Sequence, residues 1–336
     1  MIKHFVVENF KSIEHVSLDC ARINLFIGGP GTGKSNILES LGLLSHIYYS
    51  LKNQKTKATL LRKFVRYETI LDLFRDKMLR NKPRIITDDA ELTLEIQDGF
   101  VVGRCSIKSN GEATGEVFTY TPKGELKAKP SINVDVLKKY KFFRFAKLKH
   151  FKRYYVDELY PPDGANLPEV LYEHEDLYQV VQSLIENIGL KAIIRSPEFV
   201  LEFHKTLRTG VTVALPYDVI SDGIQNIIMC LAAIYSSKQR ILIFEEPEIR
   251  TFPYFVRSLA ERIAHDENNQ YFISTHNPYF LLSIVEKASK NDVKIFVTSL
   301  ENGVTSLHEV KHTKLEEIIE YDLDIFFNID DILGED

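Results

Sequence analysis

The chain has no tryptophan, only three cysteines and no apolar run long enough to cross a bilayer. Cys20, Cys105 and Cys230 show neither metal-ligand nor disulfide spacing, which excludes a structural zinc site and a stapled secreted fold. The N-terminus alternates charged and apolar residues and so lacks the plan of a signal peptide. These absences lead us to expect a soluble cytoplasmic protein with no membrane partner. A strong charge of either sign is missing too: 42 basic against 47 acidic residues give −5, so bulk charge does not announce a nucleic-acid binder. Solenoid periods and sustained heptads are also lacking. The charge is uneven, however. Lys52–Arg84 is basic, Lys138–Arg153 contains no acid and Glu301–Asp336 is strongly acidic, which describes either a basic working face or solvated surface.

What the chain does have is Gly28-Gly29-Pro30-Gly31-Thr32-Gly33-Lys34-Ser35, a match to G-x-x-x-x-G-K-[ST] at every fixed position. Gly28, Gly31, Thr32 and Gly33 would turn backbone N–H groups toward phosphate oxygens, with Asn36 beside them. Lys34 would reach the β and γ phosphates, and Ser35 would offer its hydroxyl to Mg²⁺. The context agrees. Ile23–Ile27 reads as a buried strand, and Ile37, Leu38, Leu41, Leu44 and Ile47 recur at helical spacing. A helix opening on the loop adds its partial positive charge to a phosphate site. The motif therefore predicts a nucleoside triphosphate as ligand.

Residues 2–7 and 15–19 read as short strands around a turn at Asn9–Ser12. A basic helical stretch is expected from Thr56 to Leu79, with Leu60, Leu61, Phe64, Ile70, Leu71 and Phe74 as its apolar stripe. Residues 85–135 read as an antiparallel sheet, with turns at Asp98-Gly99, Asn110-Gly111 and Lys123-Gly124. Lys138–Tyr155 interleaves basic and aromatic residues, which suits either nucleic-acid stacking or a buried aromatic face with a basic exterior. Pro161-Pro162-Asp163-Gly164 is the best internal boundary. A helix over about 167–188 and a mixed segment over 189–215 follow.

A second cluster of chemistry lies downstream. Ile241–Phe244 is an apolar run that ends in Glu245-Glu246-Pro247-Glu248, and acids at the carboxyl end of a parallel strand stand where ligands bind. Glu245 is assigned to the metal and Glu246 to water activation as general base. Gln270–Ser274 is another apolar strand, leading to His276, which would touch a γ-phosphate or orient the water. Ser221-Asp222-Gly223 opens a very apolar helix. Ser221 would cap it, and the same N-terminus would dock on a phosphate.

With these motifs in place the chain resembles the ABC-type ATPases of the RecF, SMC and OLD group. Asn9-Phe10-Lys11-Ser12-Ile13 is similar to the group's NFKSI element, Gly33-Lys34-Ser35-Asn36-Ile37-Leu38-Glu39 to its GKSNILEAL, and Pro162–Leu167 to its PDGSNL. Ser221–Gly223 takes the place of the signature, Glu245–Glu248 that of Walker B, and His276 that of the switch histidine. The resemblance implies an α/β P-loop fold of ABC-ATPase type: a mixed central sheet flanked by helices, an antiparallel β-rich section and a helical lobe. It implies a single domain, 1–336, with an N-terminal lobe at 1–160 and a C-terminal lobe at 161–336. It further implies ATP and Mg²⁺ as cofactors and an ATP-induced head-to-tail homodimer. In that dimer Ser221 and Gly223 would contact the γ-phosphate in trans, and Lys11 and Ser12 would lie near the nucleotide. DNA repair or defence against foreign DNA follows by analogy, with double-stranded DNA or a separate nuclease or toxin effector as partners.

The chain departs from the group in several places. Glu245 replaces an aspartate, Arg250-Thr251-Phe252-Pro253 replaces GLHP, and Gly29-Pro30 replaces Pro-Asn. Neither Gln54 nor Gln97 makes a convincing Q-loop residue. The phosphate loop alone also looks like that of ring-forming AAA+ proteins, but the more than two hundred residues between Lys34 and Glu245 argue against them. Glu286, Asp322 and Asp324 imitate the acidic spacing of a TOPRIM nuclease in a segment too short for that domain; Asp330-Asp331 and the acidic end read as solvated tail or partner surface. A nucleotide-gated scaffold that recruits or restrains an effector is the reading from a different class.

Overall fold

The computed structural model describes residues 1–52, 60–109, 112–128 and 133–311. β1 (His4–Phe10) and β2 (Ile13–Asp19) form a hairpin whose turn holds Lys11 at φ 53°. β3 (Ile23–Ile27) is buried at every residue, as a central parallel strand must be, and runs through the phosphate loop into α1 (Lys34–Lys52). β4 (Arg84–Thr87), β5 (Ala90–Gln97), β6 (Phe100–Ser109), β7 (Glu112–Tyr120) and β8 (Leu126–Ala128) follow. They extend the β1–β2 hairpin into an antiparallel sheet of order β2-β1-β4-β5-β6-β7-β8. Asp98-Gly99 and Lys123-Gly124 are turns, while Asn110-Gly111 lies outside the described residues.

β9 (Tyr140–Phe143) leads to α2 (Leu167–Glu173) and α3 (Glu175–Glu186), and then to a three-stranded sheet of β10 (Lys191–Arg195), β11 (Val200–Thr206) and β12 (Thr212–Pro216). The remaining elements are α4 (Asp222–Tyr235), β13 (Ile241–Glu245), α5 (Pro253–His265), β14 (Gln270–Ser274), α6 (Pro278–Lys287), β15 (Val293–Glu301) and β16 (Val304–Glu309). The second large sheet has the order β16-β15-β3-β14-β13-β9, parallel except for β16, and draws strands from both sides of residue 160.

Period-2 alternation along the parallel strands divides the core. Phe26, Ile241, Ile243, Phe272 and Phe296 face α1 and the antiparallel sheet; Leu25, Leu242, Phe244, Ile273 and Ile295 face α3 to α6. The α1 helix is buried nearly all round because it is sandwiched between the two sheets, its polar Glu39, Ser40, Ser45 and His46 included. The active edge is set by topology. Five parallel strands end together, so residues just beyond β3, β9, β13 and β14 meet.

Three sequence expectations need correction. Residues 60–79 hold only short 3₁₀ turns instead of a helix; of the expected stripe Leu61, Phe64 and Phe74 are buried, Ile70 and Leu71 are half-buried and Leu60 is exposed, while Thr56–Thr59 lie outside the described residues. The helix over 167–188 is two helices, broken at the extended His174. The Pro161–Asn166 break is a buried corner, in which Asp163 pairs with Lys63 at 2.6 Å and Asn166 Oδ1 accepts the Tyr160 N–H at 2.8 Å.

The basic-aromatic run is mostly interior. Tyr140, Phe142 and Phe143 are buried, Phe145 and Phe151 pack on the core, and Tyr154 stacks on Tyr160 with centroids 4.0 Å apart. Lys141 is fully buried against Glu158 at 3.0 Å, and burial brings its ammonium down to about 8. Of the aromatics only Tyr155 is widely exposed, with Arg153 over its ring. Among the described residues no helix is long and apolar enough to cross a membrane. Gln54, Asp322, Asp324 and Asp330-Asp331 lie outside the described residues; Gln97 sits exposed at the end of β5, bonded to Glu95 and away from the phosphate loop.

Candidate active site

The phosphate loop is held by the strand pair β15–β16 as well as by its own glycines. Gly33 adopts φ 103°, and a Cβ there would come within 2.1 Å of Thr305 Oγ1, so only glycine fits. Thr32 Oγ1 donates to Gly29 O at 2.9 Å and meets Thr298 Oγ1 at 2.6 Å. Lys34 Nζ folds back onto the carbonyls of Gly28 (2.8 Å) and Gly29 (2.7 Å). Burial brings the Lys34 ammonium down to about 8, with the Glu246 charge opposing the drop.

The β1–β2 turn docks beside this loop. Asn36 Nδ2 donates to Ser12 Oγ at 2.7 Å, and Ser12 Oγ meets Thr305 Oγ1 at 2.7 Å. Lys11 pairs with the buried Glu39 on α1; burial lowers its pKa, while Glu39 resists that loss. The structure thus brings Lys11, Ser12 and Asn36 together at the edge of the loop.

Glu245 ends β13, with Ser35, Arg66 and Arg144 all bonded to its carboxylate. Burial pushes this carboxyl up, but Arg144, the Ser35 hydroxyl and Arg66 together outweigh burial and hold it below the usual carboxylate range. Ser35 and Glu245 are neighbouring hard oxygen donors, which suits a hard divalent cation such as Mg²⁺. Among the described residues no group of three or more His, Cys, Asp or Glu gathers to hold a metal. Ser35 and Glu245 would be the residues to hold Mg²⁺ here, with phosphate oxygens and water completing the shell, the usual pattern for Mg²⁺ at a nucleotide.

Glu246 takes a left-handed backbone conformation, φ 46°, fixed by its N–H donating to Ser274 O at 3.0 Å. That turn sets its carboxylate beside His276 Nε2 at 3.2 Å. Burial first, and then the charge of Lys34, lower the His276 pKa against the pull of Glu246. The ring is therefore mostly neutral near pH 7, and the pair is a close polar contact between imidazole and carboxylate.

Glu248 fixes the loop behind this pair. Its Oε1 accepts from Thr275 Oγ1 and from the His276 N–H at 3.1 Å, while its buried Oε2 has no partner. Burial raises its carboxyl to about 7 against those two bonds. A folded-state value above the unfolded 4.5 means a contribution fully present below 4.5 and lost as pH rises through about 7. Charging this group costs roughly 3 kcal/mol at most. Glu248→Gln should flatten that slope, gaining on wild type in urea midpoint between about pH 5 and 8. A midpoint difference unchanged across that range would contradict the assignment.

Ser221 and Gly223 stand elsewhere, in a groove of about 460 Å³ that Ile224, Arg250, Phe252 and Tyr254 also line. Ser221 occupies the N-cap position of α4 but makes no side-chain capping bond, contrary to the expected cap. Gly223 is required by packing, since a Cβ would lie 2.2 Å from Arg250 O. Phe252 and Tyr254 leave 70% and 59% of their surface exposed, a large apolar face for one chain.

Arg144, Arg66, Glu39 and the two threonines of β15 and β16 were not anticipated as site residues. Glu39 lay inside the quoted GKSNILE match, and Arg144 lay inside a basic run whose other members point elsewhere.

A family model described as an AAA ATPase domain matches residues 146–281, the segment that carries Ser221, Glu245, Glu246 and His276. Two solved structures align over nearly the whole chain. One is an SMC head bound to the C-winged helix domain of ScpA, with 15% identity, TM-score 0.56, 94% of this chain and 99% of that chain covered. The other, an SMC head domain from Pyrococcus furiosus with an extended coiled coil, bound to the C-terminal domain of ScpA, has 15% identity, TM-score 0.52, 96% of this chain and 99% of that chain covered. Identities this low speak for fold alone. The chain therefore has the α/β P-loop fold of SMC head domains, and its AAA ATPase match supports ATP binding and hydrolysis.

Proposed function

We propose that this chain is an ABC-type ATPase of the OLD, RecF and SMC group that hydrolyses ATP with Mg²⁺ at composite sites of a head-to-tail homodimer. The observation that carries the reading is the convergence, at one sheet edge, of Lys34, the Ser35–Glu245 contact and the Glu246–His276 pair. Ser35 and Glu245 would hold Mg²⁺, which would supply charge to offset what develops on the phosphate oxygens. Lys34 exchanges the Gly28 and Gly29 carbonyls for β- and γ-phosphate oxygens. Glu246 takes the proton of the attacking water, and the neutral His276, 3.2 Å away, keeps its carboxylate aimed. The exposed groove at Ser221 and Gly223 supplies the partner's contact with the γ-phosphate, and its bare aromatics suit burial against a second protein surface.

Coupling to DNA repair or defence rests on the family resemblance. A second reading, a nucleotide-timed scaffold for a protein effector, draws on the same exposed aromatic groove. ATP turnover with and without linear duplex DNA separates them, with Lys34→Ala as blank. Salt-sensitive activation by DNA supports the first. Turnover indifferent to DNA supports the scaffold, and turnover undiminished in Lys34→Ala overturns both.

A further inference from the structure

Glu245 does not wait as a free carboxylate. Arg66 Nη2 bonds one of its oxygens and Arg144 Nε the other. Arg144 also reaches α1, donating from Nη2 to Glu39 Oε1 at 2.6 Å, and so ties the two acids together. Lys11 takes the other oxygen of Glu39. Three cations thus serve two acids whose side chains are 1% and 5% exposed. The guanidinium carbon of Arg144 lies 5.0 Å from the Phe142 ring centroid, and its backbone N–H donates to Pro162 O at 3.0 Å. Its side chain is only 19% exposed against 59% for Arg66. Arg144 is therefore the built-in member of the cluster and Arg66 the readily displaced one.

A divalent cation approaching Glu245 meets two guanidinium groups that already satisfy the carboxylate and repel further positive charge. A polyphosphate reverses the balance, because its oxygens offer both arginines stronger partners and attract the metal. We propose that Arg144 is a positioning residue that controls metal entry, keeping Glu245 closed to divalent cations until a polyphosphate occupies the loop. Glu245 suits this device. Its extra methylene, compared with aspartate, gives the carboxylate the reach to pair with a residue on the neighbouring strand end and still touch Ser35. The order of loading is nucleotide first and metal with it or after it.

The proposal builds on the ATPase reading but is tested without nucleotide. Mn²⁺ alone is titrated into the 336-residue chain, and free Mn²⁺ is followed by electron paramagnetic resonance. Arg144→Gln keeps an amide donor and removes the charge; it should bind Mn²⁺ at least about tenfold more tightly than wild type. Arg144→Lys keeps the charge and should stay within about threefold of wild type. Adding Glu245→Gln to Arg144→Gln should abolish the gain. Thermal melts of each variant confirm folding. Wild type and Arg144→Gln binding Mn²⁺ equally would overturn the proposal, as would a gain that survives Glu245→Gln. Failure of ATP binding in wild type would sink the ATPase reading and leave this metal result standing on its own.

Discussion

Glu246→Gln should bind ATP within about threefold of wild type while losing at least about a hundredfold in turnover, because the substitution removes a general base and little else. The amide is nearly isosteric with the carboxylate. It can still face His276 Nε2, now 3.2 Å from Oε1, and the backbone at φ 46° is set by the Ser274 contact and not by the side chain. What disappears is the acceptor for the water's proton and one negative charge beside Lys34. On the proposed shared site, nucleotide that binds without being cleaved would hold two chains together, so the variant should elute as a dimer with ATP and as wild type without it. Single-turnover phosphate release, fluorescent-nucleotide titration and light scattering read the three quantities separately. Full turnover in Glu246→Gln would remove the residue from its assigned role. A variant that neither binds nor turns over would report a folding defect, which a melt would show directly.

The part of the site that was legible in the sequence is the part whose chemistry is local. Gly28 to Ser35 must be contiguous because a helix N-terminus and the preceding turn form one cradle, so the pattern could be read as it stands. Glu245 and Glu246 were legible because an apolar run ending in acids signals the carboxyl end of a parallel strand. The interleaving of β3, β14, β13 and β9 was not legible. Parallel strands carry no mark of their neighbours, and only that order sets Arg144, one residue past β9, beside Glu245. Thr298 and Thr305 were hidden for a related reason. Their contacts with the loop span more than 260 residues of sequence, and a threonine in a strand looks like ordinary β propensity. The supposed helix over 56–79 failed in a different way. Leu61, Phe64 and Phe74 do face the core, but short 3₁₀ turns bury them as well as a helix would, and Leu60 stays exposed.

The proposed head-to-tail arrangement makes its strongest demand on two residues that lie apart in one chain. Lys34 sits in the phosphate loop, whereas Ser221 opens α4 in the separate groove beside Arg250 and Phe252. If each ATP is enclosed by the loop of one chain and the α4 start of its partner, defects in the two places complement one another. Lys34→Ala alone and Ser221→Arg alone should each be inactive, the first without phosphate binding and the second without closure. Ser221 is exposed and makes no capping bond, so the arginine blocks contact without unfolding the chain. In an equal mixture half the dimers pair one of each, and one of the two sites in those dimers keeps both wild-type residues. Half of one half is about a quarter of wild-type turnover, the value expected for random pairing of a two-fold dimer. A site completed within one chain predicts no recovery at any mixing ratio, since every Ser221→Arg chain would spoil its own site. Recovery near that quarter, absent when both substitutions are placed on the same chain, is the result that only a shared site produces.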